Sequence, residues 1–584
     1  MSRSRDAGGV RQIVRRTGTG TVAGAESLNP VIGRVLANRE IESIDQLAFS
    51  SRDLLRPDAM SQIDRAAQLI ADHVRGGSTI MVLGDYDADG ATSCALAVLA
   101  LRAMGAARAD YLVPDRFKLG YGLSPALVDL AAAERPGLLV TVDNGISSVA
   151  GAARARELGI ALVITDHHLP GEVLPDADAI VNPNLAGDRF PSKHLAGVGV
   201  VFYVLSVVRR LLEESGWFRE RRLPPVNMAE YLDLVALGTY ADLVRLDANN
   251  RILVAQGLKR INAGRCRPGI LALAEISGRK PGSLVASDLG FQLAPRLNAA
   301  GRLEDMGLGI ECLLESEHGR ARLLAARLDA INRERREIER QMHGEAVSAA
   351  DLDADSDGAA RAGVCVYRDD WHEGIVGLVA SRLKERRGLP AVAFARGEDA
   401  LLKGSARSVP GVNIRDILCE VDARAPGLLV RFGGHAMAAG LSLREEHFAR
   451  FRELFLEALD CHVETINAAN RILTDGPLDD EFDDIAFVRR LRTLAPWGQG
   501  FPEPVFDNTF RVLQQRLVGE VHLKLVLRPE RSDHRVEAIR FRYLERPGAP
   551  CPELDRIHAA YRLEVNEFAG RIRPQLAIEH FNPV

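Results

Sequence analysis

STIMVLGDYDADGATS, residues 78–93, is the stretch on which the fold turns. An apolar, β-prone run ends at Gly84 and gives way to aspartates at alternate positions, Asp85, Asp87 and Asp89. An alanine-rich helical pattern, TSCALAVLALRAMGA (92–106), then begins. The same alternation returns further along the chain. PGLLVTVDNG (136–145) reads as a strand and SSVAGAARARELG (147–159) as a helix, followed by strands in IALVITDHH (160–168) and DADAIVNPN (176–184). Continuous apolar strands separated by helices imply an α/β fold, with a parallel sheet covered on both faces. Ligands of such sheets bind beyond the carboxyl ends of the strands. Here those ends carry Asp85, Asp87 and Asp89, then Asp143, then Asp166, His167 and His168.

Outward from this core, residues 1–76 read as short helices with a Pro- and Ser-containing connection. EHGRARLLAARLDAINRERREIERQM (317–342) sets Leu324, Leu328, Ile331, Ile338 and Met342 on one stripe of a long helix. A polar, small-residue stretch, AADLDADSDGAARAG (349–363), precedes a second α/β pattern that opens at VCVYRDD (364–370). The last hundred or so residues alternate in short strands: FRVLQQRLVG (510–519), HLKLVLR (522–528), VEAIRFRY (536–543), YRLEVNEF (561–568) and RPQLAIEHF (573–581). That pattern suits a small β-barrel. The expected division is therefore a helical segment at 1–76, an α/β domain at 77–315, a connecting helix at 316–350, a second α/β domain at 351–466 and a barrel region at 467–584.

Bulk properties narrow the class. A chain of 584 residues exceeds one core, and 47% hydrophobic with 26% charged residues is an ordinary globular composition. No apolar run approaches the roughly 20 residues needed to span a bilayer. The N-terminus is basic but leads into no hydrophobic segment, against a signal peptide. Seven cysteines lie singly between Cys94 and Cys551 with no CxxC pair, which points to a reducing cytoplasm and away from a zinc ribbon. A net charge of −5 means that any nucleic-acid channel must be a local basic feature.

GDYDADG (84–90) resembles the opening of an EF-hand, but the twelfth loop position is Leu96 where calcium needs a bidentate Glu, and a strand precedes the motif. There is no GxxxxGK and no GxGxxG, which disfavours nucleotide-triphosphatase and dinucleotide chemistry. Several carboxylates and one or two imidazoles in one crevice would repel each other unless cations sat among them. Oxygen-rich ligation with one or two His suits two Mn²⁺ or Mg²⁺ ions, the usual device for phosphoryl displacement. The competing reading is that each Asp merely caps the following helix.

VDNGI (142–146), DHH (166–168) and DYDADGATS (85–93) resemble signature motifs of the DHH phosphoesterase superfamily, and YLDLVALGTYADLVRL (231–246) resembles a fourth. The likeness narrows to the RecJ family through PDRFKLGYGL (114–123), LAGVGV (195–200), PRLNAAGRL (295–303), GSARS (404–408), GGHAMAAGL (433–441), APWGQGFPEPVF (495–506) and LEVNEFAGRIRPQLAIEHF (563–581). One departure is Asp115, where the family usually has Asn. The resemblance implies a DHH domain at 77–315, a DHH-associated domain at 351–466 and an oligonucleotide-binding barrel at 467–584. It implies two Mn²⁺ or Mg²⁺ ions on Asp85, Asp87, Asp89, Asp143, His167 and Asp233, with Asp242 a nearby carboxylate. His168 would contact the reacting phosphate, and Arg407 and His435 from the second domain would close over it. Arg116, Arg296, Asn298, Arg302 and Ser405, with Arg407 and His435, would bind substrate. Aromatics total 5%, so base stacking falls to few candidates, Phe117, Tyr121, Trp497 and Phe501.

The implied activity is 5′-to-3′ exonucleolytic degradation of single-stranded DNA to mononucleotides in repair and recombination. A cytoplasmic monomer would work beside a single-strand-binding protein and a helicase, with no membrane. Phosphodiesterases for short oligonucleotides or cyclic dinucleotides, and family II pyrophosphatases, share such metal motifs but need no C-terminal barrel. A non-catalytic replication scaffold should have lost ligands that this sequence keeps.

Overall fold

Five strands assemble: β1 (Thr79–Leu83), β2 (Arg108–Leu112), β3 (Leu138–Val142), β4 (Ala161–Thr165) and β5 (Ala179–Val181), of which the alternation predicts all but the edge strand β2. All pair in parallel, in the order β2-β1-β3-β4-β5. β1, β3 and β4 are buried almost throughout, as strands covered on both faces must be. Because β1 has β2 on one side and β3 on the other, the chain direction of the winding reverses at β1/β3. A crevice opens there beyond the carboxyl ends of the strands. Helix α1 (Ala88–Ala103) leaves β1 through the aspartate loop and is apolar and buried on nearly all sides, a core helix. Helices α2 (Gly197–Glu214), α3 (Leu232–Ala241) and α4 (Ala294–Leu303) pack against α1.

This computed structural model describes residues 11–18, 20–114, 122–357, 362–397, 401–544, 548–568 and 571–584. The chain divides into two compact units. One comprises Gly20–Asn332 and Arg489–Glu503, and the other Met1–Thr19, Arg333–Val488 and Pro504–Val584. The parallel sheet lies in the first. The second holds a mixed sheet of β6 (Val364–Tyr367), β7 (Ala391–Arg396), β8 (Leu401–Arg407), β9 (Leu429–Gly434) and β10 (Ala438–Arg444), ordered β9-β10-β8-β7-β6. Phe394, Phe451 and Phe455 sit at the centre of its core. The same unit holds a closed five-stranded barrel of β11 (Phe506–Val518), β12 (His522–Pro529), β13 (Val536–Arg540), β14 (Arg556–Phe568) and β15 (Arg571–Pro583). All five barrel strands fall where period-two alternation places them. Among the described residues, no helix is long and apolar enough to cross a membrane.

Three elements depart from expectation. Helix α5 runs His318–Asp357, about 60 Å of helix. It therefore continues through the first half of the stretch read as a polar connection, because Ala, Leu and Asp there include no breaker before Gly358. Its buried positions include Ala321, Ala325, Leu328, Asp329, Ile331, Asn332, Arg335, Glu339, Met342, Ala346 and Ala350, so small and polar residues occupy much of the seam and Leu324 lies at its edge. Residues 489–503, read as part of the barrel region, belong to the unit of the parallel sheet.

The N-terminus supplies a strand where only helices were expected. Gln12–Arg15 pairs in parallel with Arg471–Thr474. Asp507, 1% exposed, anchors it, accepting from Arg15 Nη2 (2.8 Å), Thr474 Oγ1 (2.5 Å) and His558 Nε2 (3.0 Å). Burial would raise the Asp507 pKa, but these donors, Arg15 first, hold it below the usual carboxylate value. Asp507→Ala should lower stability by about 1–3 kcal/mol, through the loss of charge-assisted hydrogen bonds to Arg15 and His558 and the stranding of the buried Thr474 hydroxyl. Thermal unfolding would register that loss. Hydrogen exchange should show the Gln12–Arg15 amides losing protection first.

Candidate metal centre

The aspartate loop after β1 is shaped by its own backbone. Asp87 Oδ1 accepts from the amides of Asp89 (2.9 Å) and Gly90 (3.0 Å), capping α1. Capping therefore occupies one Asp87 oxygen, and a carboxylate has a second. Asp89, 1% exposed, faces the start of α2, where the amides of Gly197 (2.6 Å) and Val198 (3.0 Å) donate to its two oxygens. The positive end of that helix favours its charge.

Asp143 follows β3 in a left-handed conformation (φ 63°), uncommon for a residue with a side chain and a sign of local constraint. A Cβ on Gly197 would come within 2.5 Å of Asp143 Cβ, and one on Gly238 within 2.8 Å of Asp89 Oδ1. Only glycine lets α2 and α3 approach the carboxylates so closely. The DHH triplet is fixed from outside. Asn184 Nδ2 donates to the His167 carbonyl (2.6 Å) and Asn182 Nδ2 to that of His168 (2.8 Å). His168 Nδ1 lies 2.7 Å from Asp166 Oδ1, while Asp166 Oδ2 accepts from the Ile146 amide (2.9 Å). Asp166 thus orients His168 through Nδ1, leaving Nε2 for a ligand.

Ligand atoms converge in three overlapping sets, each within 4.8 Å: Asp85, Asp87 and Asp143; Asp143, His167 and His168; and Asp89, His167 and Asp242. His167 Nε2 stands 3.1 Å from Asp143 Oδ1 and 3.5 Å from Asp242 Oδ2. Asp143 Oδ1 is buried and makes no hydrogen bond to any described residue. A buried carboxylate oxygen left in that state, among further carboxylates and imidazoles, fits a hard divalent cation.

Asp233 is not brought to this group. It is fully buried, with Arg267 donating to it from Nη1 (3.1 Å) and from its amide (2.7 Å). Asp242, at the C-terminal end of α3, stands in the cluster instead. The helix geometry explains the difference. Nine residues at 100° each turn Asp233 to the face opposite Asp242, whereas Gly238, which touches α1, lies one turn before Asp242 on the same face. That spacing was the available signal in the sequence.

The substrate-binding candidates separate likewise. Arg296, 5% exposed, is held by Asp329 (Nε 2.9 Å, Nη2 2.8 Å), and Asn298 Oδ1 accepts from the Ala88 amide (2.7 Å) at the start of α1. Both therefore bind the protein's own framework. Arg302 is half-buried in the last turn of α4. Arg116, like Phe117 and Tyr121, lies outside the described residues. In the other unit, Arg407 Nη1 donates to Ser405 Oγ (2.8 Å), and Arg407 pairs in register with Ala438. This sets it beside the β9–β10 turn that carries the exposed His435. Burial depresses the Arg407 pKa. Trp497 and Phe501 are buried and stacked on each other (5.1 Å), with Arg39 over the first and Arg251 over the second, so neither ring is open to a base.

The electrostatics report the crowding. Burial, then the charge of Asp87, pushes Asp89 up to about 7. Burial, then neighbouring carboxylates, holds Asp143 and Asp242 well above the ordinary range. Burial opposes a charged His168, yet Asp166 and the surrounding carboxylates raise it to about 9. A carboxyl raised in the folded state binds its proton more tightly there than in the unfolded chain. Its stabilisation is complete below the unfolded value, about 4, and is lost as pH climbs through the folded one. His168 has the same sign at higher pH. Without divalent ions, the melting temperature should therefore fall as pH rises from about 5 to 8, and less steeply in Asp143→Asn. Added Mn²⁺ should raise it more at pH 8 than at pH 5.5. Differential scanning calorimetry across that range tests both, and a melting temperature that rises with pH would contradict the cluster's electrostatics.

The chain matches the DHH family, N-terminal domain, over residues 79–239, the DHHA1 domain over 361–460 and the RecJ OB domain over 474–580. It is 49% identical over 574 residues to the single-stranded-DNA-specific exonuclease RecJ of Salmonella typhimurium, covering 98% of this chain and 99% of that protein. The crystal structure of RecJ in complex with Mn²⁺ from Thermus thermophilus is similar at a TM-score of 0.77 and 27% identity, covering 98% of this chain and 80% of the other. The Mg²⁺ complex of RecJ from the same organism gives 0.71 at 25% identity, covering 98% and 78%. With relatedness of that order from end to end, this chain belongs to the RecJ family.

Proposed function

We propose that this protein is a metal-dependent exonuclease that degrades single-stranded DNA from the 5′ end to mononucleotides, in DNA repair and recombination. The observation that carries the reading is the convergence of five carboxylates and two imidazoles at the β1/β3 crevice. Asp85, Asp87, Asp89, Asp143, His167 and Asp242 would hold two Mn²⁺ or Mg²⁺ ions, with Asp242 taking the place expected for Asp233. Such ions supply an activated water and stabilise charge in an in-line phosphoryl displacement. Asp166 holds the His168 ring in one orientation, so that Nε2 meets a non-bridging phosphate oxygen as a charged donor. Arg407, Ser405 and His435 would bind substrate phosphate from their own unit, and Arg302 and Arg116 are further candidates. The polarity rests on family membership alone.

The domain division proposed is a DHH domain at 77–315, a DHH-associated domain at 351–466 and an oligonucleotide-binding barrel in the C-terminal region. Single-stranded DNA is the partner the barrel fits. A cytoplasmic monomer recruited by a single-strand-binding protein and a helicase completes the reading.

End-labelled DNA strands, blocked at either end and digested with Mn²⁺ or Mg²⁺, test activity and polarity together. Release from a strand open only at its 5′ end is expected, and release only from open 3′ ends would overturn the polarity. Asp143→Ala and His167→Ala should retain strand binding with activity below about one thousandth of the parent. Near-normal cleavage by either would refute the metal assignment. Deleting Pro504–Val584, with 489–503 kept, should weaken the DNA dissociation constant more than the rate at saturating substrate. An unchanged dissociation constant would remove the barrel from the binding role.

A further inference from the structure

The segment APWGQGF (495–501) is separated from Asp242 by more than 250 residues, yet it packs on the turn that carries that residue. Tyr240 Oη donates to the Trp497 carbonyl (2.8 Å), and the Leu246 amide donates to the Gln499 carbonyl (2.7 Å). These two bonds bracket Asp242, one before it and one after. Between them the chain passes through Leu243 in a left-handed conformation (φ 61°), a turn that local preference does not favour for leucine. Packing reinforces the bonds. A Cβ on Gly498 would come within 2.6 Å of Leu246 Cδ1 and 3.3 Å of Tyr240 Cε2, so the segment lies against both flanks of the turn. The segment is itself rigid. Trp497 and Phe501 stack between Arg39 and Arg251, Trp497 Nε1 donates to the Leu491 carbonyl (2.9 Å), and Arg39 Nε donates to that of Pro502 (2.8 Å). Arg251 also donates to the Leu246 carbonyl (2.9 Å), tying the stack to the same turn.

We infer that residues 495–501 form a positioning clamp that holds Asp242 in ligating geometry, so that metal affinity depends on a segment remote from every metal-binding motif. The inference rests on the reading of Asp242 as a metal ligand. A side chain at a helix end followed by a strained turn has freedom to swing away, and the clamp removes it. Groups that orient a ligand without touching the ion commonly govern affinity by about 10- to 100-fold. A clamp acting through backbone placement should lie near the lower end.

The test uses the full chain, with Mn²⁺ binding measured by calorimetry and by electron paramagnetic resonance alongside the rate as a function of Mn²⁺. Asp242→Asn is the reference and should lose one ion. Tyr240→Phe removes a single oxygen and leaves the core packing in place. Gly498→Ala presses on Leu246. Both should keep the parent circular dichroism while weakening Mn²⁺ binding about 10-fold, with the rate recovering to within a few-fold of the parent at saturating Mn²⁺. Unchanged Mn²⁺ affinity in a folded Tyr240→Phe protein overturns the clamp, and this variant decides alone if Gly498→Ala fails to fold. Unchanged binding in Asp242→Asn overturns the ligand assignment on which the clamp stands.

Discussion

Repulsion among buried carboxylates is the constraint around which this protein is organised. Two like charges 4 Å apart repel by about 4 kcal/mol at an effective dielectric of about 20. Asp85, Asp87, Asp89, Asp143 and Asp242 are drawn into one crevice at comparable separations. The fold opposes that repulsion with fixed dipoles. The start of α1 donates to Asp87, the start of α2 to Asp89, and the Asp166–His168 pair sets an imidazole beside Asp143. What these donors leave unsatisfied, Asp143 Oδ1 above all, is the part a divalent cation completes.

The parallel sheet is what makes the arrangement possible. Strands of one direction deliver their carboxyl ends to one edge, so loops distant in sequence arrive at the same height. Helices must then approach that edge closely enough for their amides to reach the acids, and the absent side chains at Gly197 and Gly238 allow it. Two side chains named for substrate on sequence grounds serve the same scaffold. Asn298 caps α1 and Arg296 anchors α4 to Asp329. A motif residue one contact removed from a site is indistinguishable, in sequence, from one that touches the ligand.

Chain order and spatial order diverge in two places. Gln12–Arg15 completes a parallel pair with Arg471–Thr474 and is pinned by Asp507, and residues 489–503 join the unit of the parallel sheet. Both belong to segments whose hydrophobic pattern is short and whose partners lie hundreds of residues away. Local periodicity carries no information about such pairings.

The sequence by itself determined the elements whose physics is local. The βα alternation, the acidic strand ends, the barrel's period-two strands and the long amphipathic helix could all be read from residue spacing, because burial on one or both faces imposes that spacing. The family motifs named the chemistry. Spacing sets Asp233 and Asp242 of YLDLVALGTYADLVRL at opposite ends and on opposite faces of α3, and only the tertiary structure decided which of the two reaches the cluster. It also decided that Arg296 is held by Asp329, that Asn298 Oδ1 accepts from the start of α1, and that Trp497 and Phe501 stack on each other. Each of these outcomes depends on a partner far away in the chain, and such a partner is fixed by packing, which no short stretch of sequence contains.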